Sequence, residues 1–166
     1  YDGRVITVSI DTVELPNGLR LPLELVRHPG GAAIAAVDSA RRICVLRQYR
    51  HAAGDYVWEL PAGKLERGEP PLLTAQRELA EEANRRADTW RSLGDYLSSP
   101  GVFNEVVHLF LATDLAPSPG QREAGEVFEP HWWPLDVARE RAANGELRDG
   151  KTALGILRAA AMLDKA

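Results

Sequence analysis

The 166-residue sequence predicts an α+β protein, an α/β/α sandwich in which helices flank a mixed sheet. Three observations carry that expectation. β-rich runs outnumber helical ones, and helical periodicity is confined to the middle and the end of the chain. The first two β runs are joined by Pro16-Asn17-Gly18, and Asn-Gly between such runs is a strong hairpin signal, which adds a small N-terminal antiparallel unit.

The opening run, Arg4 to Val13, places Val5, Ile6, Val8, Ile10 and Val13 in a β-rich stretch, and Leu19 to Val26 is its return. A lone hairpin has little core, so this one must pack on the rest of the chain or on another subunit. After His28-Pro29-Gly30-Gly31, Ala32 to Val37 and Arg42 to Tyr49 read as strands joined at Asp38-Ser39. Tyr56 to Leu60 leads through Pro61-Ala62 into a loop that begins at Gly63. Trp58 there serves either the core, the preferred reading, or a stacking surface for a base. Leu72 to Ala83 lacks interior Gly and Pro and repeats Leu72, Ala75, Leu79 and Ala83 at helical spacing. Trp90 to Leu97 and Val102 to Asp114 are strand-like, with a turn at Ser98-Ser99-Pro100-Gly101 between them. Ala116 to Glu126, rich in Pro, Gly and Glu, reads as a mobile loop. Phe128 to Trp133 is a short strand, and Pro134 to Gly145 and Thr152 to Asp164 are helices.

The length suits one well-filled core, and 45% apolar with 27% charged residues is ordinary for a soluble globular protein. A net charge of -4 argues against a nucleic-acid surface and implies local help for an anionic substrate. The single cysteine, Cys44, lies in the apolar run Ile43 to Leu46 and reads as a small buried hydrophobe; no disulfide within the chain is possible. There is no apolar run of membrane-spanning length and no visible secretory signal, so a reducing cytoplasm is expected, without a membrane partner. The chain opens without Met, which leaves room for a preceding segment.

The chemistry concentrates between Gly63 and Arg85. Glu78, Glu81 and Glu82 fall off the apolar stripe of the helix at helical-neighbour spacings and are expected on one exposed flank. Such a cluster suits a hard divalent cation. Taken alone it reads first as a solvated charged face, with Arg77 pairing Glu81, and the wider spacing reverses that preference. Gly145 to Thr152 matches G-x4-G-K-T, but the segment before it is helical and polar where a phosphate loop needs a buried strand. Thr152 is therefore expected to cap a helix, with Lys151 solvated beside it. His28, His51, His108 and His131 have no zinc-like spacing and read as surface or structural.

Gly63, Glu69, Arg77, Glu78, Leu79, Glu81 and Glu82 together make G-x5-E-x7-R-E-U-x-E-E, which closely resembles the Nudix box. The family pattern continues x-G-U, whereas this chain has Asn84, a good substitute at a left-handed helix cap, and Arg85 at a normally apolar position. The run Ser99-Pro100-Gly101 with Glu105, the acidic loop before Trp132-Trp133-Pro134-Leu135, and the terminal helix after Lys151-Thr152 resemble the ADP-ribose pyrophosphatase branch. The resemblance implies a Nudix fold over residues 29–166, with residues 1–28 a hairpin region that dimerises and helps build the substrate pocket. It implies hydrolysis of a nucleoside diphosphate sugar, foremost ADP-ribose to AMP and ribose 5-phosphate, with two to three Mg2+ or Mn2+ ions. GDP-mannose is the nearest competing substrate, and a non-catalytic metal- or nucleotide-binding module is the alternative from another class.

By the same resemblance, Glu78 and Glu82 are the main metal ligands, Glu81 assists, and the Ala62 carbonyl and Glu126 complete the set. Arg77 orients the carboxylates, and Glu69 ties loop to helix. Glu126 is the first choice for the catalytic base, ahead of Glu129 and Glu123. Arg50, Trp58, Glu59, Pro100, Gly101 and Glu105 are the substrate-binding candidates, Arg50 through a bidentate phosphate contact.

Overall fold

The computed structural model describes residues 1–120 and 127–165. In order it comprises β1 (Thr7–Glu14), β2 (Arg20–Arg27), β3 (Gly31–Ala36), β4 (Arg42–Arg50), β5 (Asp55–Glu59), β6 (Ala62–Lys64), α1 (Pro71–Ala83), β7 (Arg85–Leu97), β8 (Val106–Pro117), β9 (Phe128–Pro134), α2 (Leu135–Ala143) and α3 (Gly150–Leu163).

The central sheet is mixed. Its order is β6-β3-β8-β7, with β3 and β8 parallel and the other pairs antiparallel. An antiparallel sheet β5-β4-β9 adjoins it through a bridge between Val37 and Ile43. Side chains alternate across a strand, so β3 feeds two cores at once. Ala33, Ala35 and Val37 join Leu135, Ala138, Ile156 and Ala159 of α2 and α3, while Ala32, Ile34 and Ala36 join Ala75, Leu79 and Ala83 of α1. Helices thus cover both faces, as the α/β/α expectation requires. The run of small residues in β3 lets both layers approach closely. Each fully buried large aliphatic, such as Leu79 or Ile156, adds about 1.5–3 kcal/mol to this packing.

The hairpin forms around Gly18, whose φ of 80° needs glycine. It is fastened to the body through Val26, which bridges to Phe103 and whose N–H donates to the Val102 carbonyl at 2.8 Å. One side of β1 stays open, with Ile10 70% exposed.

Several details differ from expectation. Gly63 is in a strand, not a loop, because β6 pairs with β3 through Gly31 and Ala32. β7 begins at Arg85, directly after α1, and not at Trp90. Leu72 faces outward, and Thr74, Glu78 and Glu82 join the buried side of α1 in its place. α3 is capped by Asp149, whose carboxylate accepts from the Thr152 N–H at 3.0 Å, so Thr152 lies inside the helix. Cys44 is buried as expected, and burial pushes its thiol up to about 12. Among the described residues no helix is long and apolar enough to cross a membrane.

Candidate active site

Local sequence explains how α1 is laid down. Pro70 and Pro71 start it, where missing amide hydrogens cost nothing, and Asn84 ends it in the left-handed conformation (φ 51°), with its N–H bonded back to the Ala80 carbonyl at 3.1 Å. Arg85 needs no apolar partner. Its guanidinium lies over the Trp132 ring at 5.6 Å and donates to the Asn84 carbonyl.

The helix lies against β6, and this contact sets the carboxylates. A Cβ at Gly63 would stand 1.7 Å from Glu78 Oε1, so only glycine lets the Glu78 side chain cross the strand. Glu82 Oε2 accepts from the Ala62 N–H at 2.8 Å. Glu78 and Glu82 are 8% and 2% exposed, which corrects the expectation of one solvated acidic flank. Arg77 Nη1 donates to Glu78 Oε1 at 2.6 Å and to Glu81 Oε2 at 3.2 Å, and Nη2 stands 3.5 Å from Glu69. Glu69 accepts from the Thr74 hydroxyl and the Glu66 N–H, which ties the loop to the helix. The Thr74 bond, aided by Arg77, holds the Glu69 carboxyl below its usual range.

A cleft of about 600 Å³ is lined among others by Ala62, Gly63, Arg77, Glu78 and Glu81, with Glu82 behind them. Arg50, Asp149 and Lys151 form another part of its lining, and His28, Tyr96 and Glu105 a third. Glu59 lies behind Arg50, with its side chain 4% exposed, and accepts from Arg50 Nε and Nη2 at 2.7 and 2.8 Å and also from Lys151 Nζ. Burial pushes the Glu59 carboxyl up, but the bonds and charges of Arg50 and Lys151 outweigh it and hold the group below its usual range. Glu105 stands 3.0 Å from His28 Nδ1. Burial, with the charges of Asp149 and Glu105, pushes the Tyr96 hydroxyl up to about 12, so it stays a neutral donor.

Other sequence candidates fall elsewhere. In the β5-β4-β9 sheet, Gln48 and Arg50 face the cleft, so Arg47 and its partners Trp58 and Glu129 point to the opposite face. Trp58 packs there against Trp133 and His131, with ring centroids 4.6 and 5.0 Å away, as part of the core edge and not as a base platform. Glu129 is exposed beside His131 on that far face and is corrected as a catalytic base on this placement. Pro100 and Gly101 sit in an exposed turn outside the lining of the cleft. Glu123 and Glu126 lie outside the described residues. Lys151, expected in solvent, is instead half-buried between Glu59 and Asp149. Together with His28 and Tyr96 it is a cleft residue that sequence reasoning missed; the only signal was the Gly-Lys-Thr run.

The donors fit a hard divalent ion by their chemistry. Glu78, Glu81 and Glu82 offer carboxylate oxygens and Ala62 a backbone carbonyl, the ligand type such ions prefer. Among the described residues no three acidic, His or Cys side chains are gathered into a ready-made metal cage. Magnesium commonly relies on one or two carboxylates, with waters and substrate phosphates as its other ligands.

The fold is that of a known solved structure, an ADP compounds hydrolase. It superimposes with a TM-score of 0.84 at 22% identity, over 99% of this chain and 90% of that one. A family model described as the NUDIX domain matches residues 27–152, and the chain belongs to that family. It is 38% identical over 166 aligned residues to the ADP-ribose pyrophosphatase of Mycobacterium tuberculosis, covering 95% of this chain and 77% of the relative. It is 36% identical over 160 residues to the methanol dehydrogenase activator of Bacillus methanolicus, covering 94% and 85%.

Proposed function

We propose that this chain hydrolyses ADP-ribose to AMP and ribose 5-phosphate in a divalent-metal-dependent reaction. The observation that carries the reading is the crossing of α1 over β6, which holds Glu78 against Gly63 at a cleft with cations on another part of its wall, and Glu82 behind it on the Ala62 amide. Similarity to an ADP-ribose pyrophosphatase over nearly the whole chain supports the choice of substrate.

Glu78 and Glu82, with Glu81 and the Ala62 carbonyl, would hold the metal. When bound, Mg2+ or Mn2+ neutralises diphosphate charge and lowers the pKa of a water. The chain's own residues do the rest. Arg77, bonded to Glu78 and Glu81, fixes the rotamers of both carboxylates and offsets their mutual repulsion before substrate arrives. Arg50, held from behind by Glu59, presents its remaining N–H groups to phosphate oxygens. Glu105 and His28, beside Tyr96, offer hydrogen-bond partners to sugar hydroxyls. Glu126 remains the proposed base.

The open side of β1, with Ile10 exposed, is the surface for a second copy of the chain, giving a homodimer. A reducing cytoplasm is the compartment, in keeping with one buried thiol.

Incubation with ADP-ribose, Mg2+ and a phosphatase tests the activity, since phosphate is released only after cleavage. GDP-mannose in parallel tests substrate choice. Phosphate release from neither, at any metal concentration, refutes the enzymatic reading in favour of a non-catalytic module. Light scattering tests the dimer.

A further inference from the structure

The proposed reaction assigns Arg50 to phosphate but leaves its surroundings without a role. Glu59 is almost completely buried, yet it accepts from two cations, Arg50 on β4 and Lys151 on α3, the latter 92 residues away in sequence. Asp149 is shared as well: it accepts from Lys151 Nζ at 3.0 Å, from the Thr152 N–H at 3.0 Å and from the Thr152 hydroxyl at 2.5 Å. Glu59 thus serves two cations, and Asp149 serves Lys151 together with two donors of Thr152.

We propose that Lys151 is a second phosphate-gripping cation beside Arg50, and that buried Glu59 is the positioning residue that sets both; this rests on the diphosphate-hydrolase reading above. The donor count supports it. An arginine has five N–H donors and Glu59 takes two of them; a lysine has three, of which Glu59 and Asp149 take two. Both side chains line the cleft, so the remaining donors lie where a diphosphate would enter between the acidic helix and this wall.

The wall is also rigid. The residue after Glu59, Leu60, donates its N–H to the Thr152 hydroxyl at 2.7 Å. A Cβ at Gly155 would come within 2.6 Å of Leu60 Cδ1, so α3 is seated directly on the end of β5. Two consecutive residues, Glu59 and Leu60, therefore fix the side chain of Lys151 and the backbone turn that carries it. A cation locked in this way loses little freedom when it meets an anion, which is how pre-organisation turns contacts into affinity. A network that served only to tie α3 to β5 would not need both cations at the cleft surface.

The test compares wild type with Lys151→Gln, Lys151→Arg and Glu59→Gln. Steady-state kinetics on ADP-ribose with Mg2+ is paired with isothermal titration of inorganic pyrophosphate under the same conditions, and thermal melting accompanies both. Loss of one charge-assisted phosphate contact is expected to raise KM and the pyrophosphate Kd of Lys151→Gln roughly 10- to 100-fold, with kcat changed by less than about 3-fold. Lys151→Arg should recover most of that loss. Glu59→Gln should weaken pyrophosphate binding by a similar factor through misplacement of both cations. If Lys151→Gln does not fold, Lys151→Met takes its place.

Lowered melting temperature with unchanged KM and Kd would overturn the proposal, leaving the network a structural tie. Equal pyrophosphate affinity in an active wild type and Lys151→Gln overturns it too, while the hydrolase reading stands. Wild type that binds pyrophosphate through Lys151 but cleaves no substrate leaves the grip intact and refutes the reaction.

Discussion

Replacing Gly63 by alanine inserts a single methyl group at the crossing of β6 and α1. The new Cβ would stand 1.7 Å from Glu78 Oε1 and 2.7 Å from its Cγ, whereas ordinary contact begins at 3.4 Å. The carboxylate must therefore retreat by at least about 1.7 Å, a distance set by van der Waals contact. The backbone has no reason to follow. Gly63 is absent from the positive-φ positions, it pairs in register with Ala32, and the clashing atoms belong to a flexible side chain. Gly→Ala at a compatible backbone site changes stability by no more than about 1 kcal/mol. Misplacing a catalytic group by 1 Å costs about 100-fold in rate. The expected outcome is kcat on ADP-ribose with Mg2+ reduced about 100-fold or more, with circular dichroism unchanged and the melting temperature within several degrees of wild type. The assay is phosphate release in the presence of excess phosphatase. Turnover within twofold of wild type in a folded Gly63→Ala variant would refute the claim that the Glu78 position at this crossing governs the reaction.

Glu82→Gln keeps the shape of a side chain that accepts from the Ala62 N–H and removes its charge; half-maximal turnover should need at least about 10-fold more Mg2+, read from metal titrations of the initial rate. Glu59, with a carboxyl held below its usual value of 4.5, contributes stability that is present above that value and lost as pH falls through the lower folded one. Melting curves should therefore separate wild type from Glu59→Gln by several degrees at pH 7, and the gap should narrow as pH falls below 4.5. Cys44, buried and with its thiol pushed up to about 12, should react with a thiol reagent at pH 8 only as fast as the chain unfolds, measured by mass spectrometry along a urea series.

Much of the architecture was legible because its signals are local. The Asn17-Gly18 turn, the Pro70-Pro71 start of α1 and the Asn84 cap are each decided by the backbone preferences of a few consecutive residues. The two cores of β3 were less legible. Its run Gly-Ala-Ala-Ile-Ala-Ala shows no alternation, since both faces are buried and small residues suit either. Within the site, the acidic spacing on α1 located Glu78, Glu81 and Glu82, but their exposure was misread. Helical periodicity ranks residues by apolarity, whereas here a strand edge with a glycine and an amide made burial of carboxylates tolerable. Glu129 was misplaced for a different reason: nearness to cleft residues in sequence does not say which face of a strand a side chain takes until the register with Gln48 and Arg50 is known.

The sequence by itself determined the family, the order of strands and helices apart from β6, and which helix carries the acids, because each is written in contiguous spacing. Only tertiary structure decided that Glu59 meets Lys151 across 92 residues, that Gly63 exists to admit Glu78, and that Glu105 faces His28. Those contacts depend on how β5, β6 and α3 pack around a common sheet, and packing is a property of the folded chain that no single stretch contains.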